Sequence, residues 1–192
     1  MEETASAATL DARTLRNVLG SFPTGVTVIT TVDAAGRCIG VTANSFSSVS
    51  LDPPLILWNQ SLASASYPAF RDAQRFVVNI LAEDQVDVSR RFATPGIDRF
   101  EGVRTRFGLG GVPLIEGCVA HLECIRETSF PGGDHAVFIG RIEKTYRAQR
   151  RPLAFGGGGY LRVRPHPQRA LRERLRRSLS MGIEVIKRRL GC

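Results

Sequence analysis

A chain of 192 residues with 43% apolar and 7% aromatic content can bury one sizeable core, which excludes a disordered polymer and fits a single domain. Four cysteines without a C-x-x-C pair exclude a disulfide scaffold and a zinc ribbon, and with acidic Glu2 and Glu3 in place of a basic leader and no long apolar run, a cytoplasmic protein is expected. The formal charge of +8 belongs to residues 161–192, where ten Lys and Arg meet only Glu173 and Glu184. The body is neutral, so the basic balance says nothing of what the body binds.

Thr9 or Asp11 can cap a short first helix with Leu15, Val18 and Leu19 at helical spacing and Gly20 near its end, expected to pack across one end of a sheet. Phe22-Pro23-Thr24-Gly25 reads as a turn into the β-branched strand Val26 to Val32. Asp33 to Gly36 then reverses the chain into Arg37 to Asn44, making a hairpin. Further strands are read at Leu55 to Asn59 and Arg75 to Leu81, with a short helical passage from Tyr67 to Ala73 between them. A second helix runs from Glu83 to Ala93, where Arg90 and Arg91 suit its negative C-terminal end. Residues 94–116 are rich in Gly and read as loop with one short strand. The strand from Cys118 alternates, Ser129 to Gly133 turns the chain, and Asp134 to Tyr146 is the last long strand before an open loop, Gly156 to Gly159, and Tyr160. Short strands joined by hairpins with few helices add up to a mainly β fold, an antiparallel barrel. Neither G-x-G-x-x-G nor G-x-x-x-x-G-K-[ST] occurs in a strand-to-helix context, which excludes Rossmann and P-loop binding.

Between Gly40 and Pro54 the alternation of a half-buried strand fails, because Thr42, Asn44, Ser45, Ser47, Ser48 and Ser50 cluster ahead of Pro53-Pro54. Two readings are open: a solvated Ser-rich connection, or a surface of short polar side chains that lets a flat ligand reach the backbone. Ser61, Ser64 and Ser66 exceed what helix capping requires and can meet a phosphate. His135 follows the flexible turn Pro131-Gly132-Gly133 beside Asp134, a carboxylate suited to tuning its charge, although a lone histidine at a strand start is more often structural. No nucleophile elbow, triad or metal-ligand spacing is present. A polar groove without such machinery suggests that a bound cofactor supplies the chemistry.

Phe22 to Thr31, Gly40 to Pro54, Phe76 to Leu81, and Gly133-Asp134-His135 with Ile139-Gly140 resemble, in order and spacing, the short-chain flavin reductases that serve two-component monooxygenases. The resemblance covers about residues 11–160. It implies a Greek-key split β-barrel that binds FMN or FAD, a homodimer with flavin near the subunit interface, and hydride transfer from NADH or NADPH to the flavin. It further implies that reduced flavin passes to a separate monooxygenase; the alternative is a flavin-retaining carrier of the same fold with little turnover. Carried over by position, Thr42, Ala43, Asn44 and Ser45 lie along the isoalloxazine and ribityl, Ser48 and Val49 continue the contact, and Pro23 and Thr24 close the site. The phosphate region falls on Ala63, Ser64 and Ser66. Many relatives offer a lysine there and this chain only hydroxyls, so Arg90 or Arg91 is the candidate for the missing charge. His135 is assigned to the nicotinamide nucleotide and Tyr160 to the rim of the flavin pocket.

Residues 161–192 read as a separate basic segment. Leu171, Leu175, Leu179, Ile183, Ile186 and Leu190 give it a helical apolar stripe. Docking on the protein's own dimer is favoured over a partner arm or an anionic-membrane anchor, and the lack of aromatic residues among its arginines argues against nucleic acid.

Overall fold

The computed structural model of the chain describes residues 11–167. One compact unit ends at Arg162 and a second begins at Val163. The amphipathic helix expected in the C-terminal segment, and Thr9, lie outside the described residues. The first unit is mainly β, with antiparallel sheets and few helices, as the sequence reading expects.

Asp11 caps helix α1 (Ala12–Gly20), its carboxylate accepting from the backbone N–H of Arg13 and Thr14. Strand β1 (Thr24–Gly25) leads to β2 (Thr27–Val32), β3 (Cys38–Ala43), β4 (Ser47–Leu51) and β5 (Pro54–Ser61). Helix α2 (Tyr67–Asp72), strand β6 (Arg75–Ile80) and helix α3 (Val86–Ala93) follow. A small hairpin, β7 (Thr105–Phe107) and β8 (Pro113–Ile115), precedes the two long strands β9 (Ala120–Gly132) and β10 (His135–Arg147), and β11 (Leu153–Gly156) and β12 (Gly159–Arg162) end the unit.

Seven strands pair antiparallel in the order β3-β2-β6-β9-β10-β5-β4, while β11 pairs with β1 and β12, and β7 with β8. Strand β2 is buried nearly throughout, which is possible because its threonines spend their hydroxyls locally: Thr27 donates to Ala43 O and Thr31 to Arg75 O. Buried Asn79 ties β6 to its surroundings, donating to Val28 O and Thr30 Oγ1 and accepting from the N–H of Ile115. The largest core cluster centres on Trp58 of β5, stacked on Phe138 at 4.7 Å between centroids and met edge-on by Phe70 at 5.0 Å. Gly140 on β10 faces Phe76 so closely that a Cβ would lie 2.4 Å from its ring, so only glycine admits this packing.

Several sequence expectations shift for identifiable reasons. The double proline does not stop the sheet: Pro54 pairs with Leu51 of β4 and is tolerated as the first residue of β5, one position beyond where pairing with β10 ends at Leu55. The turn after β9 comes later than Pro131, which pairs with Ala136. Beyond Ile125 strand β9 has a neighbour on one side only, so its missing N–H costs no ladder bond. Gly156 to Gly159 is not an open loop but a tight hairpin, with Gly157 and Gly158 at φ of 58° and 78°. The loop from Thr94 holds the β7–β8 hairpin rather than one strand. Helix α1 does not bury its apolar stripe against the sheet: Val18 and Leu19 are each 64% exposed and Phe22 is 77% exposed.

Candidate functional site

Strands β3 and β5 come near each other without a ladder between them, and this gap is the split of the barrel. A single side chain bridges it. Ser45 Oγ accepts from the N–H of Asn59 at 2.9 Å and donates to the Asn59 carbonyl at 3.0 Å. Around this clamp lies a cavity of about 480 Å³ lined by residues 41–45 and 59–61 together with Ser64, Gly132 and His135. Strand β4 pairs with β5 only as far as Leu57, and beyond it the Ser45 hydroxyl takes the place of a ladder partner for the Asn59 backbone.

The lining asks for a polar ligand. Asn59 Oδ1 and Gln60 Oε1 are buried and have no hydrogen-bond partner, although both residues face the cavity. An unpartnered buried acceptor is costly, and a ligand with N–H or O–H donors in this cavity would relieve that cost. The donor set is neutral amide, hydroxyl and backbone, which suits the polar edge of a flavin ring and a ribityl chain. The residues present therefore fit the group.

A second cleft, of about 950 Å³, shares Asn44 and His135 with the first and extends along α1 to Phe155 and the glycine turn after it. His135 Nδ1 lies 2.7 Å from Asp134 Oδ1. Asp134 is held below the usual carboxylate range first by that hydrogen bond and then by the imidazole's charge.

The predicted site residues divide by where they stand. Thr42, Ala43, Asn44, Ser45, Ser64 and His135 line the first cavity, and Thr24 lines the second. Pro23 stands against Gly156, where an added Cβ would come within 3.2 Å of it. The hydroxyl of Thr42 is already given to the carbonyl of Ser89 on α3, so Thr42 offers the cavity its backbone rather than its side-chain donor. Tyr160 donates to Ser89 Oγ at 3.0 Å and packs on Phe155 behind the second cleft, lining neither cavity itself. Ser48 and Val49 sit on edge strand β4, where a bulge interrupts the register, and line neither cavity. Ala63 is exposed and lines neither. Ser66 is buried, its oxygen accepting from Gln60 Nε2 at 2.9 Å and lying 3.0 Å from Ser64 Oγ, so its hydroxyl serves the fold first.

Arg90 and Arg91 are not brought to Ser64 and Ser66. Arg90 pairs with Asp87 and lies over the Tyr160 ring, and Arg91 donates to the Asp98 carbonyl and pairs with Glu101. The cation beside Ser66 is Arg99, in a cleft of about 260 Å³ with Cys38, Gly40 and Ala65. It donates to Gly40 O at 2.7 Å and Thr94 O at 3.0 Å, and burial lowers its pKa. Sequence reasoning missed Arg99 because it sits in an aperiodic loop, and missed Asn59 and Gln60 because they finish a strand. The one available signal was the abrupt switch from Leu55-Ile56-Leu57-Trp58 to three polar residues.

The antiparallel β fold agrees with what comparison with known proteins finds. The chain belongs to the family described as "Flavin reductase like domain", matched over residues 19–164. It is 44% identical over 159 residues to a Rhizobium meliloti protein named "Probable flavin reductase", covering 83% of this chain and 51% of that one, so the chain spans about half of that relative's length. It is 41% identical over 162 residues to the flavin-dependent monooxygenase reductase subunit HsaB of Mycobacterium tuberculosis, covering 83% of this chain and 86% of that one. Among solved structures it resembles the Streptomyces globisporus NADH:FAD oxidoreductase SgcE6, described in complex with NAD and FAD fragments. The TM-score is 0.81 and the identity 38%, with 86% of this chain and 99% of that one covered.

Proposed function

We propose that the chain is an NAD(P)H:flavin oxidoreductase that reduces FAD or FMN and passes the reduced flavin to a separate monooxygenase. The observation that carries this reading is the cavity in the β3–β5 seam with two unpartnered amide oxygens, joined through Asn44 and His135 to a second cleft. Two adjoining sites that share a wall are what two planar redox partners require. When bound, the flavin supplies a two-electron acceptor: hydride leaves the reduced nicotinamide, which is oxidised, and the flavin is reduced.

The protein's part is positioning. Asn59 and Gln60 accept from the polar edge of a ring in the seam, the Ser45 clamp holds the seam's width, and the backbone of residues 41–44 lies alongside it. Asp134 orients the His135 imidazole through Nδ1 and leaves Nε2 as the polar atom for the nicotinamide nucleotide. No side chain needs to act as nucleophile. The homodimer implied by the resemblance is supported by the exposed apolar residues Leu15, Val18 and Leu19 on α1 and Phe22 just after it, which a second copy would cover, and sedimentation would weigh it. The division into a flavin-binding part at residues 1–160 and a basic appendage at 161–192, and a cytoplasmic location, belong to the same proposal. The relative described as a monooxygenase subunit supports the monooxygenase as partner.

The test is NADH and NADPH oxidation by the purified chain with FMN or FAD added. Turnover with either flavin is the expected result. A protein that stays yellow through purification and is not bleached by NADH or NADPH would instead be a flavin carrier, and failure of both outcomes would end the proposal.

A further inference from the structure

No residue of helix α1 is buried in the chain's own core, and Arg13, Arg16, Asn17 and Gly20, at intervals of three, one and three, line the second cleft together with Leu19 and, just past the helix, Phe22. The two arginines give the helix side of this cleft a positive charge beside apolar Leu19 and Phe22. Neither Arg13 nor Arg16 is paired with a carboxylate among the described residues, and no Asp or Glu lines this cleft. The opposite wall is the turn Gly157-Gly158, pinned to the end of the helix by the Gly157 N–H donating to Gly20 O at 2.8 Å. A Cβ at either glycine would meet nothing within 4 Å, so their backbone borders open space that a ligand can approach closely.

We propose that Arg13 and Arg16 bind the phosphates of the nicotinamide dinucleotide. This rests on the flavin reductase reading and adds to it the residues that hold the charged half of the hydride donor. The cleft joins the flavin cavity at Asn44 and His135, so a molecule whose reactive ring lies against that shared wall runs its remaining length toward α1. At about 950 Å³ it is at the large end of ordinary cofactor sites, roughly 300–1,000 Å³. Two guanidinium groups one turn apart are neighbours on a helix and match phosphate oxygens with forked donors. Both NADH and NADPH carry a pyrophosphate, and only NADPH adds a 2′-phosphate; either anion fits this wall.

The test compares R13A/R16A and R13K/R16K with the parent chain. Michaelis constants are measured for NADH, NADPH and flavin, and dissociation constants for NAD+ and NADP+ by calorimetry without turnover. The alanine pair is expected to weaken nicotinamide nucleotide binding by about tenfold or more in both assays, with lysine restoring much of it and the flavin constant unmoved. Weakening of the phosphorylated forms alone identifies the 2′-phosphate as the bound group, and equal weakening of both identifies the pyrophosphate. Unchanged calorimetric constants, or an equal loss for flavin and nicotinamide, would overturn the proposal. If the parent chain shows no reductase turnover, the activity reading fails on its own, while calorimetry with NAD+ and NADP+ still decides the role of the arginines.

Discussion

Strand β5 passes through two different environments. Its middle, Ile56 and Trp58, is sealed in the main core, with the indole stacked on Phe138. Its end, half-buried Asn59 and buried Gln60, leaves two buried amide oxygens without partners beside a cavity. Trp58 Nε1 is likewise buried without a partner, so an unsatisfied atom does not by itself mark a site; Asn59 and Gln60 differ in bordering a cavity that a ligand can enter. Mutations in the two halves should therefore have opposite signatures.

The largest effect belongs to the sealed half. Trp58→Ala removes the centre of the aromatic cluster and should cost about 3–5 kcal/mol of unfolding free energy, read from urea midpoints, whatever its effect on ligands. Asn59→Ala is the counterpart. It deletes an unpartnered acceptor, so the apo protein should lose little stability or gain up to about 1 kcal/mol, while flavin binding weakens by roughly three- to tenfold. A stability loss comparable to that of Trp58→Ala, with flavin affinity intact, would make Asn59 a core residue and dissolve the contrast.

Arg99 sharpens the comparison at the edge of the cavity region. If it supplies the charge that the Ser64 and Ser66 segment lacks, Arg99→Gln should weaken flavin binding several-fold and reduce its dependence on salt, whereas Arg90→Gln should do neither. Equal effects at the two positions would return the assignment to the α3 arginines. Titration of flavin into each variant at two salt concentrations separates the outcomes.

Which parts of this were legible beforehand follows from local chemistry. Strands β2, β3 and β6 declare themselves through β-branched residues and β5 through its apolar run Leu55 to Trp58, and Asp11 and the Asp33 turn through capping side chains. The seam lining at residues 42–45 stood out because it breaks strand alternation. What stayed hidden depends on distant chain segments. Arg99 reaches Gly40 across 59 positions and Thr42 reaches Ser89 across 47, and no local pattern reports such pairings. The hairpin at Gly157-Gly158 did carry its signal, a glycine pair between two short strands, and its reading as an open loop gave that too little weight. The direction in which α1 turns its stripe is a tertiary fact, invisible in the spacing itself.

The smallest effect tests whether satisfied burial behaves as such on the sheet's other neighbour. His121 is buried beneath β8, its Nε2 2.8 Å from the Ile115 carbonyl. Its pKa is lowered first by burial, with Arg106 adding to the shift, while the Ile115 hydrogen bond and Glu123 oppose it. A base whose folded pKa lies below its unfolded value of 6.5 binds fewer protons folded than unfolded across that window. Its contribution is therefore complete above pH 6.5 and is lost as the pH falls from there through the lowered value. Asp11, Asp33, Asp72 and Asp134 titrate below their ordinary 3.8 and do not interfere. Urea midpoints should thus fall between pH 7.5 and 5.5 in the parent chain, and the fall should shrink in His121→Gln, whose amide can still donate to Ile115 O. An identical slope in both would show that the imidazole is not kept neutral by its surroundings, and would remove His121 from the satisfied side of the comparison.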